Sequence, residues 1–231
     1  MNPTGAASDA SGPLVALAGT AGATSVAVRY RGEVFFRRRS GVAQHARYLL
    51  PLLDELLSEL ALPRSALAAV AYARGPGPFT GGRIVVATAQ GLGLGLGIPL
   101  LPVSSLAATA WASGYERAAV ALAAGQGEVY WGRFERTAEG LRAHGEEMCV
   151  AAEAVPSPVD AAGWWGVGDG WERHGEALGG ALGERLVATA PGVSGEADAV
   201  ADLALAPWQA GEVLTPAQAV PTYLRSSYAE Q

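Results

Sequence analysis

The chain has 231 residues, half of them hydrophobic and 16% charged, with 22 acidic side chains against 16 basic ones and a net charge of −6. That composition supplies a substantial core, excludes global disorder and argues against tight non-specific nucleic-acid binding by this chain alone. All 16 basic residues are arginine, which excludes a P-loop lysine, a Schiff-base lysine and a pyridoxal-phosphate lysine. Residues 1–13 lack a basic n-region and a long apolar core, so they read as a polar lead-in and not a signal peptide. The lone Cys149 allows no internal disulfide and fits a reducing cytoplasm.

In chain order, Leu14 to Ala18 and Ala23 to Tyr30 are strand candidates, and a turn at Arg31-Gly32 leads into a third at Glu33 to Arg38. From Gln44 to Leu60 the period becomes helical. Leu49, Leu53, Leu56 and Leu60 share one stripe, Ala46, Leu50 and Leu57 lie beside it, and Asp54, Glu55, Ser58 and Glu59 fill the rest. Leu67 to Tyr72 is the next strand. A glycine- and proline-rich turn follows, then a helix from about Thr80 and a strand at Leu100 to Val103. The order β-β-β-α-β-α-β predicts an α/β architecture with a hairpin-led mixed sheet flanked by helices.

A second unit starts near residues 104–112. It has a helix to about Trp111, strands at Ala118 to Ala123 and Glu128 to Phe134, and one more between Leu141 and Val150. Beyond it come a strand at Trp164 to Val167 and helices near Trp171 to Gly180 and Ala197 to Ala210, with no fixed-period repeat. Ile84 to Ser113 is uncharged and apolar, but Gly91, Gly93, Gly95, Gly97, Pro99 and Pro102 interrupt it. A buried helix and a short strand are expected there, not a membrane span.

The chemistry-bearing residues are sparse. His45, His144 and His174 lie in no zinc-binding spacing, no Gly-x-Ser-x-Gly elbow occurs, and the adjacent carboxylates Asp54/Glu55 and Glu146/Glu147 do not face one another on a helix. No catalytic or metal-ligating residue is assigned. Arg37-Arg38-Arg39, with Arg29 and Arg31 across the hairpin, is the one local basic concentration, either a charged sheet edge or an RNA phosphate contact. On the second helix Ala87, Gly91 and Gly95 share a face at four-residue spacing. Such a stripe packs closely on the chain's own sheet or on a helix of another chain.

The most specific stretch is Arg74-Gly75-Pro76-Gly77-Pro78-Phe79-Thr80-Gly81-Gly82-Arg83-Ile84. It continues through Ala89-Gln90-Gly91-Leu92 and Gly97-Ile98-Pro99 to Val103-Ser104-Ser105-Leu106. It resembles the RGPGSFTGLRIG…GIP…VSSL pattern of the TsaB (YeaZ) family. Further patches agree in order: Thr24 to Val28, Gly32 to Val34, His45 with Leu49 to Leu53, Gly127 to Gly132, Gly166 to Trp171 and Pro221 to Arg225.

The resemblance implies a two-lobed actin/Hsp70-like (ASKHA, ribonuclease H-like) fold. Its N-terminal lobe would cover residues 1–105 and carry the partner-binding helices; its smaller C-terminal lobe would cover 106–231, with a tail that returns to the first. It also implies a non-catalytic subunit that binds TsaD, the subunit that transfers threonylcarbamoyl to the adenosine beside the anticodon of tRNA. TsaE, an ATP-binding protein, would join that complex, a homodimer would form in TsaD's absence, and tRNA would be met only through the complex. The expected interface residues are His45, Leu49, Leu53, Leu56, Arg83, Ala87, Gly91 and Gly95, and the family loop is Arg74, Gly75, Gly77, Phe79, Thr80 and Gly81.

Two departures bear on chemistry. Ala18-Gly19-Thr20 stands where the family has an Asp-Thr-Ser-like turn, and Ala123-Ala124-Gly125 where it has Asp-Ala-Arg. Both changes remove carboxylates that Mg²⁺ would need, so no cofactor is assigned to this chain and ATP is expected to be used by the complex. The alternative is an actin-like ATPase or phosphotransferase that uses Gly75–Gly82 as an anion loop. A metallopeptidase is a more distant third reading.

Overall fold

The computed structural model describes residues 12–41, 45–77, 79–158 and 163–224. Residues 1–11, Gln44, Pro78, Arg225 and the side chain of Phe79, all part of the sequence readings above, lie outside the described set.

The first sheet begins as a meander of β1 (Leu14–Gly19), β2 (Ala23–Tyr30) and β3 (Glu33–Ser40). Arg31 and Gly32 both have positive φ, 53° and 81°, and form the two-residue turn whose twist suits a hairpin. Helix α1 (His45–Glu59) follows, then β4 (Ala69–Ala73), α2 (Phe79–Leu96) and β5 (Leu100–Val103). The strand order is β3-β2-β1-β4-β5, antiparallel through the meander and parallel from β1 to β5. Strands β1 and β4 are buried on both faces, which is why they read as continuous apolar runs without alternation.

Helix α3 (Ser105–Ser113) joins the two sheets. The Ser104 hydroxyl caps it by accepting from Leu106 N at 3.1 Å and Ala107 N at 3.3 Å, and Gly114 ends it at φ 72°. The second sheet comprises β6 (Arg117–Gly125), β7 (Glu128–Thr137), β8 (Gly140–Ala143), β9 (Met148–Ala151), β10 (Trp164–Val167) and β11 (Leu186–Ala190). Helix α4 (Gly170–Leu182) lies between β10 and β11, and α5 (Ala197–Gln209) follows β11.

The single strand expected between Leu141 and Val150 is two strands. Gly145 at φ 92° lies between β8 and β9, and both pair with β7. Strand β11 has no legible sequence signal, because a five-residue edge strand, Leu-Val-Ala-Thr-Ala, is too short and unalternated to show a strand period. The order β8-β7-β6-β10-β11 repeats that of the first sheet, antiparallel hairpins on one side and parallel strands on the other. The topology is duplicated although the sequence shows no repeat.

Four apolar clusters fill the layers. Helices α1 and α2 cover one face of the first sheet; α5, which follows the second sheet in sequence, covers the other. Asp202 of α5 pairs with Arg29 of β2 and accepts from Trp111 Nε1 of α3 at 3.0 Å, which fixes the returning segment to both. The second sheet packs against α4 on one face and α3 on the other.

Candidate functional site

The motif loop leaves β4 tightly tied. Arg74 N donates to Val103 O at 2.9 Å, Thr222 N donates to Arg74 O at 2.8 Å, and Ser105 N donates to Gly75 O at 2.9 Å. Gly75 has φ 96° and precedes a cis bond to Pro76; a Cβ there would meet Thr222 O at 3.2 Å, so glycine is required by both conformation and space. Gly77 has open space around its Cα, and Thr80 is exposed at the start of α2.

The glycines of α2 serve two different purposes. A Cβ on Gly81 would lie 2.8 Å from His45 Nε2, and one on Gly93 would lie 2.8 Å from Leu100 Cδ2; these two let the helix press inward. Gly91 and Gly95 face outward with nothing near, beside exposed Arg83 and Ala87 and a Leu94 that is 78% exposed. Of the two orientations open to the small-residue stripe, the structure has it facing solvent.

A C-terminal strap, residues 214–224, runs antiparallel along one flank of α2. Leu214 exchanges both backbone hydrogen bonds with Leu100, and the Gln90 amide donates to Pro216 O at 3.2 Å and Ala219 O at 2.9 Å. Arg83 Nε donates to the Tyr223 hydroxyl at 2.8 Å, with its guanidinium 5.5 Å from the ring centre. The strap thus adds exposed Val220 and Tyr223 to the surface bearing Leu94. Sequence reasoning missed these three residues; the signal was there in Leu94, the one large side chain between Gly93 and Gly95.

Helix α1 requires a correction. Leu49, Leu53 and Leu56 are at most 1% exposed and belong to the core over the first sheet, so they are not interface side chains. Their stripe is the apolar face of an amphipathic helix, and the sheet has already taken it. His45 is also buried: its Nδ1 is 2.7 Å from Thr24 Oγ1, and its ring is wedged between Gly19 and Gly81. Burial lowers its pKa. The outward residues of α1 are Ala46, Arg47, Leu50, Pro51, Asp54, Glu55, Ser58 and Glu59.

Between the sheets lies a cleft of about 300 Å³, lined by the Gly19–Gly22 turn, Arg38, the Pro76-Gly77 loop, Ser105, Ala123, Asp169 and the 191–195 segment. Several of its polar groups are already engaged, and Glu172 also lines it. Asp169 Oδ1 accepts from Ala123 N at 2.9 Å, and Thr20 Oγ1 accepts from Ala23 N at 3.1 Å. Among the described residues no three His, Cys, Asp or Glu side chains gather as metal ligands, and no helix is long and apolar enough to cross a membrane.

A family model described as TsaD, tRNA N6-adenosine threonylcarbamoyltransferase, matches residues 38–163. The chain is 35% identical to the tRNA threonylcarbamoyladenosine biosynthesis protein TsaB of Escherichia coli, over 65% of this chain and 68% of that protein. Identity to the protein of the same name from Haemophilus influenzae is 33%, over 70% and 73% of the two chains. The solved structure of YeaZ from Pseudomonas aeruginosa superposes with a TM-score of 0.84 at 37% identity, covering 92% of this chain and all of that one. A second Pseudomonas aeruginosa structure, of an uncharacterized protein with similarity to peptidase YeaZ, gives 0.86 at 36%. The chain belongs to the TsaB (YeaZ) family.

The TsaB motif patches of the second half are close-packing devices in this fold. A Cβ on Gly166 would sit 2.6 Å from the Trp171 ring, and one on Gly168 would sit 2.5 Å from Ala121 O, so β10 and α4 can seat only with glycine there. Gly127 to Gly132 opens β7 after the turn at Gly125-Gln126-Gly127, whose φ values of 83°, 55° and 80° are all positive.

Arg37, Arg38 and Arg39 are each paired: with Glu59, with Glu196 at 3.1 Å and with Glu55 at 3.3 Å. The run is therefore balanced charge on an edge strand. A second charged group centres on Glu135, which accepts from Arg142, His144 and Arg117; these bonds hold its pKa down to about 2.

Proposed function

We propose that this chain is the non-catalytic partner of a TsaD-type transferase and supports it in placing threonylcarbamoyl on tRNA. The observation that carries the reading is the outer face of α2, where Arg83, Ala87, Gly91, Leu94 and Gly95 are exposed and the space above Gly91 and Gly95 is empty. A helix without Cβ atoms on that face lets a second helix approach at short interaxial distance. Apolar exposure at Leu94, Val220 and Tyr223 favours covering it.

The family model spanning residues 38–163 includes both α1 and α2, so a TsaD-type partner has counterparts of these helices. Two such faces meet about a pseudo-two-fold axis, and two copies of this chain meet in the same way when the partner is absent. A TsaE-like ATPase docks on the resulting pair, which is where ATP is used, and tRNA is engaged through the complex in the cytoplasm. The domain division at 105/106 belongs to the same proposal.

The rival reading is a nucleotide held in the interlobe cleft. Alanine and glycine at 18–19 and 123–125 offer no metal-binding carboxylate, one oxygen of Asp169 is taken by Ala123 N, and Glu172 is the remaining carboxylate of the cleft lining. The test is size-exclusion chromatography with light scattering, mixing this chain with TsaD from the same organism. Wild type forms a one-to-one complex and Gly91→Leu, which folds normally, does not. Equal complex formation by both would remove α2 from the interface; none by either would return attention to the cleft.

A further inference from the structure

The partner reading leaves the first residue of the motif unexplained. Arg74 is held by its backbone to β5 and to the strap, yet its side chain makes no hydrogen bond or ion pair, and its Nε is fully buried without an acceptor. Buried donors in native proteins are nearly always satisfied, so an orphan of this kind calls for a partner that another arrangement supplies.

The β4–β5 register, with Ala73 opposite Val103, sets Arg74 beside Ser104, and the acceptor that reaches Ser104 is Glu147. It lies in the turn between β8 and β9, on the second sheet, and crosses to accept the Ser104 hydroxyl proton at the junction of β5 and α3. Ser104 has no further capacity for adjustment. Its oxygen already accepts from Leu106 N and Ala107 N as the cap of α3, so its only proton goes to Glu147. Burial disfavours the Glu147 anion, and among the described residues the positive charge that acts on it in the opposite direction is Arg74. A carboxylate held by a neutral hydroxyl while an unpaired guanidinium stands nearby is the weaker of two available pairings.

We propose that Glu147 is a latch between the two sheets with two alternative partners, the Ser104 hydroxyl that it holds here and the Arg74 guanidinium that it takes when the second sheet shifts relative to the first. The β8–β9 turn is the moving element, and it reaches the first sheet at this point. The fixed elements are the Arg74 backbone, tied to Val103 and Thr222, and the cap of α3. Exchange of partners therefore changes the interlobe angle while leaving the strap and α2 in place. The latch does not depend on which protein docks on α2.

The test is a pair of spin labels on the full chain, attached through a keto amino acid at Ser58 on α1 and Glu176 on α4, both exposed, so that Cys149 is untouched. Pulsed dipolar spectroscopy then reads the distance between the lobes. Wild type shows two distances, one of them that of this structure. Arg74→Gln leaves only that one, because the alternative partner is gone.

Ser104→Asp keeps an acceptor to cap α3 but repels Glu147, and moves the population to the second distance. Glu147→Gln, which still accepts from Ser104 but has no charge for Arg74, behaves as Arg74→Gln. Circular dichroism melts establish that each variant is folded before its distances are compared. A single distance in wild type, unmoved by Arg74→Gln and by Ser104→Asp, overturns the latch. So does movement of both variants in the same direction.

Discussion

Helices α1 and α2 lie side by side on the same face of the same sheet, yet they solve opposite problems. Helix α1 puts its leucines inward and meets water with charge: Glu59, Glu55 and Asp54 pair with Arg37, Arg39 and Arg64. Helix α2 is apolar almost all round, and its outward face holds alanine, glycine and one exposed leucine beside a single arginine. The contrast teaches that hydrophobic composition does not by itself report burial. The more polar helix supplies the leucine core, and the more apolar one leaves a bare face in solvent.

The largest effect expected from breaking this contrast is in the α1 core. Leu53→Ala removes a fully buried side chain and should cost about 2–5 kcal/mol, whereas Leu50→Ala, at a 39% exposed site, should cost under about 1 kcal/mol. Urea unfolding of the two variants measures both. Similar losses at the two sites would mean that the helix face is assigned wrongly.

Within α2 the two kinds of glycine should separate. Gly81→Ala drives a methyl to within 2.8 Å of His45 Nε2 and should destabilise by about 1–3 kcal/mol. Gly91→Ala meets open space and should stabilise by up to about 1 kcal/mol through helix propensity alone. Thermal melts that moved both variants the same way would contradict the division of roles.

His45 joins the two helices and gives the contrast a pH dependence. Its folded pKa lies below the ordinary 6.5, so between those values the unfolded chain binds the extra proton. Its contribution is complete above about pH 7 and is lost as pH falls through 6.5 toward the folded value. His45→Gln should flatten that part of the stability–pH curve, measured by denaturant midpoints in steps across the range.

The smallest effect belongs to the charged outer face of α1. Glu59→Gln breaks a pair whose side chains are 41% and 50% exposed, and should change stability by less than about 1 kcal/mol, less still at high salt. A larger loss would mean that the Arg37–Arg39 edge holds α1 to the sheet.

Much of this architecture could be read from the residues alone. The two-residue turn at Arg31-Gly32, the leucine period of α1, and the helix that follows the motif loop are local signals, set by φ preference and side-chain spacing. The motif patches identified the TsaB family because they are glycine-rich contacts that tolerate few substitutes, as at Gly75 against Thr222 and Gly166 against Trp171.

Which face of each helix meets the sheet was decided only by tertiary packing. A leucine stripe and a glycine stripe both read as contact surfaces, and the sequence does not say contact with what. Burial of Leu49, Leu53 and Leu56, exposure of Gly91 and Gly95, and the meeting of Arg74, Ser104 and Glu147 depend on segments far apart in the chain. So does the strap, because residues 214–224 have no periodicity and gain their place from backbone and side-chain bonds to α2, Arg74 and Leu100. Local spacing fixes which residues share a face; only the assembled sheet determines whether that face is filled.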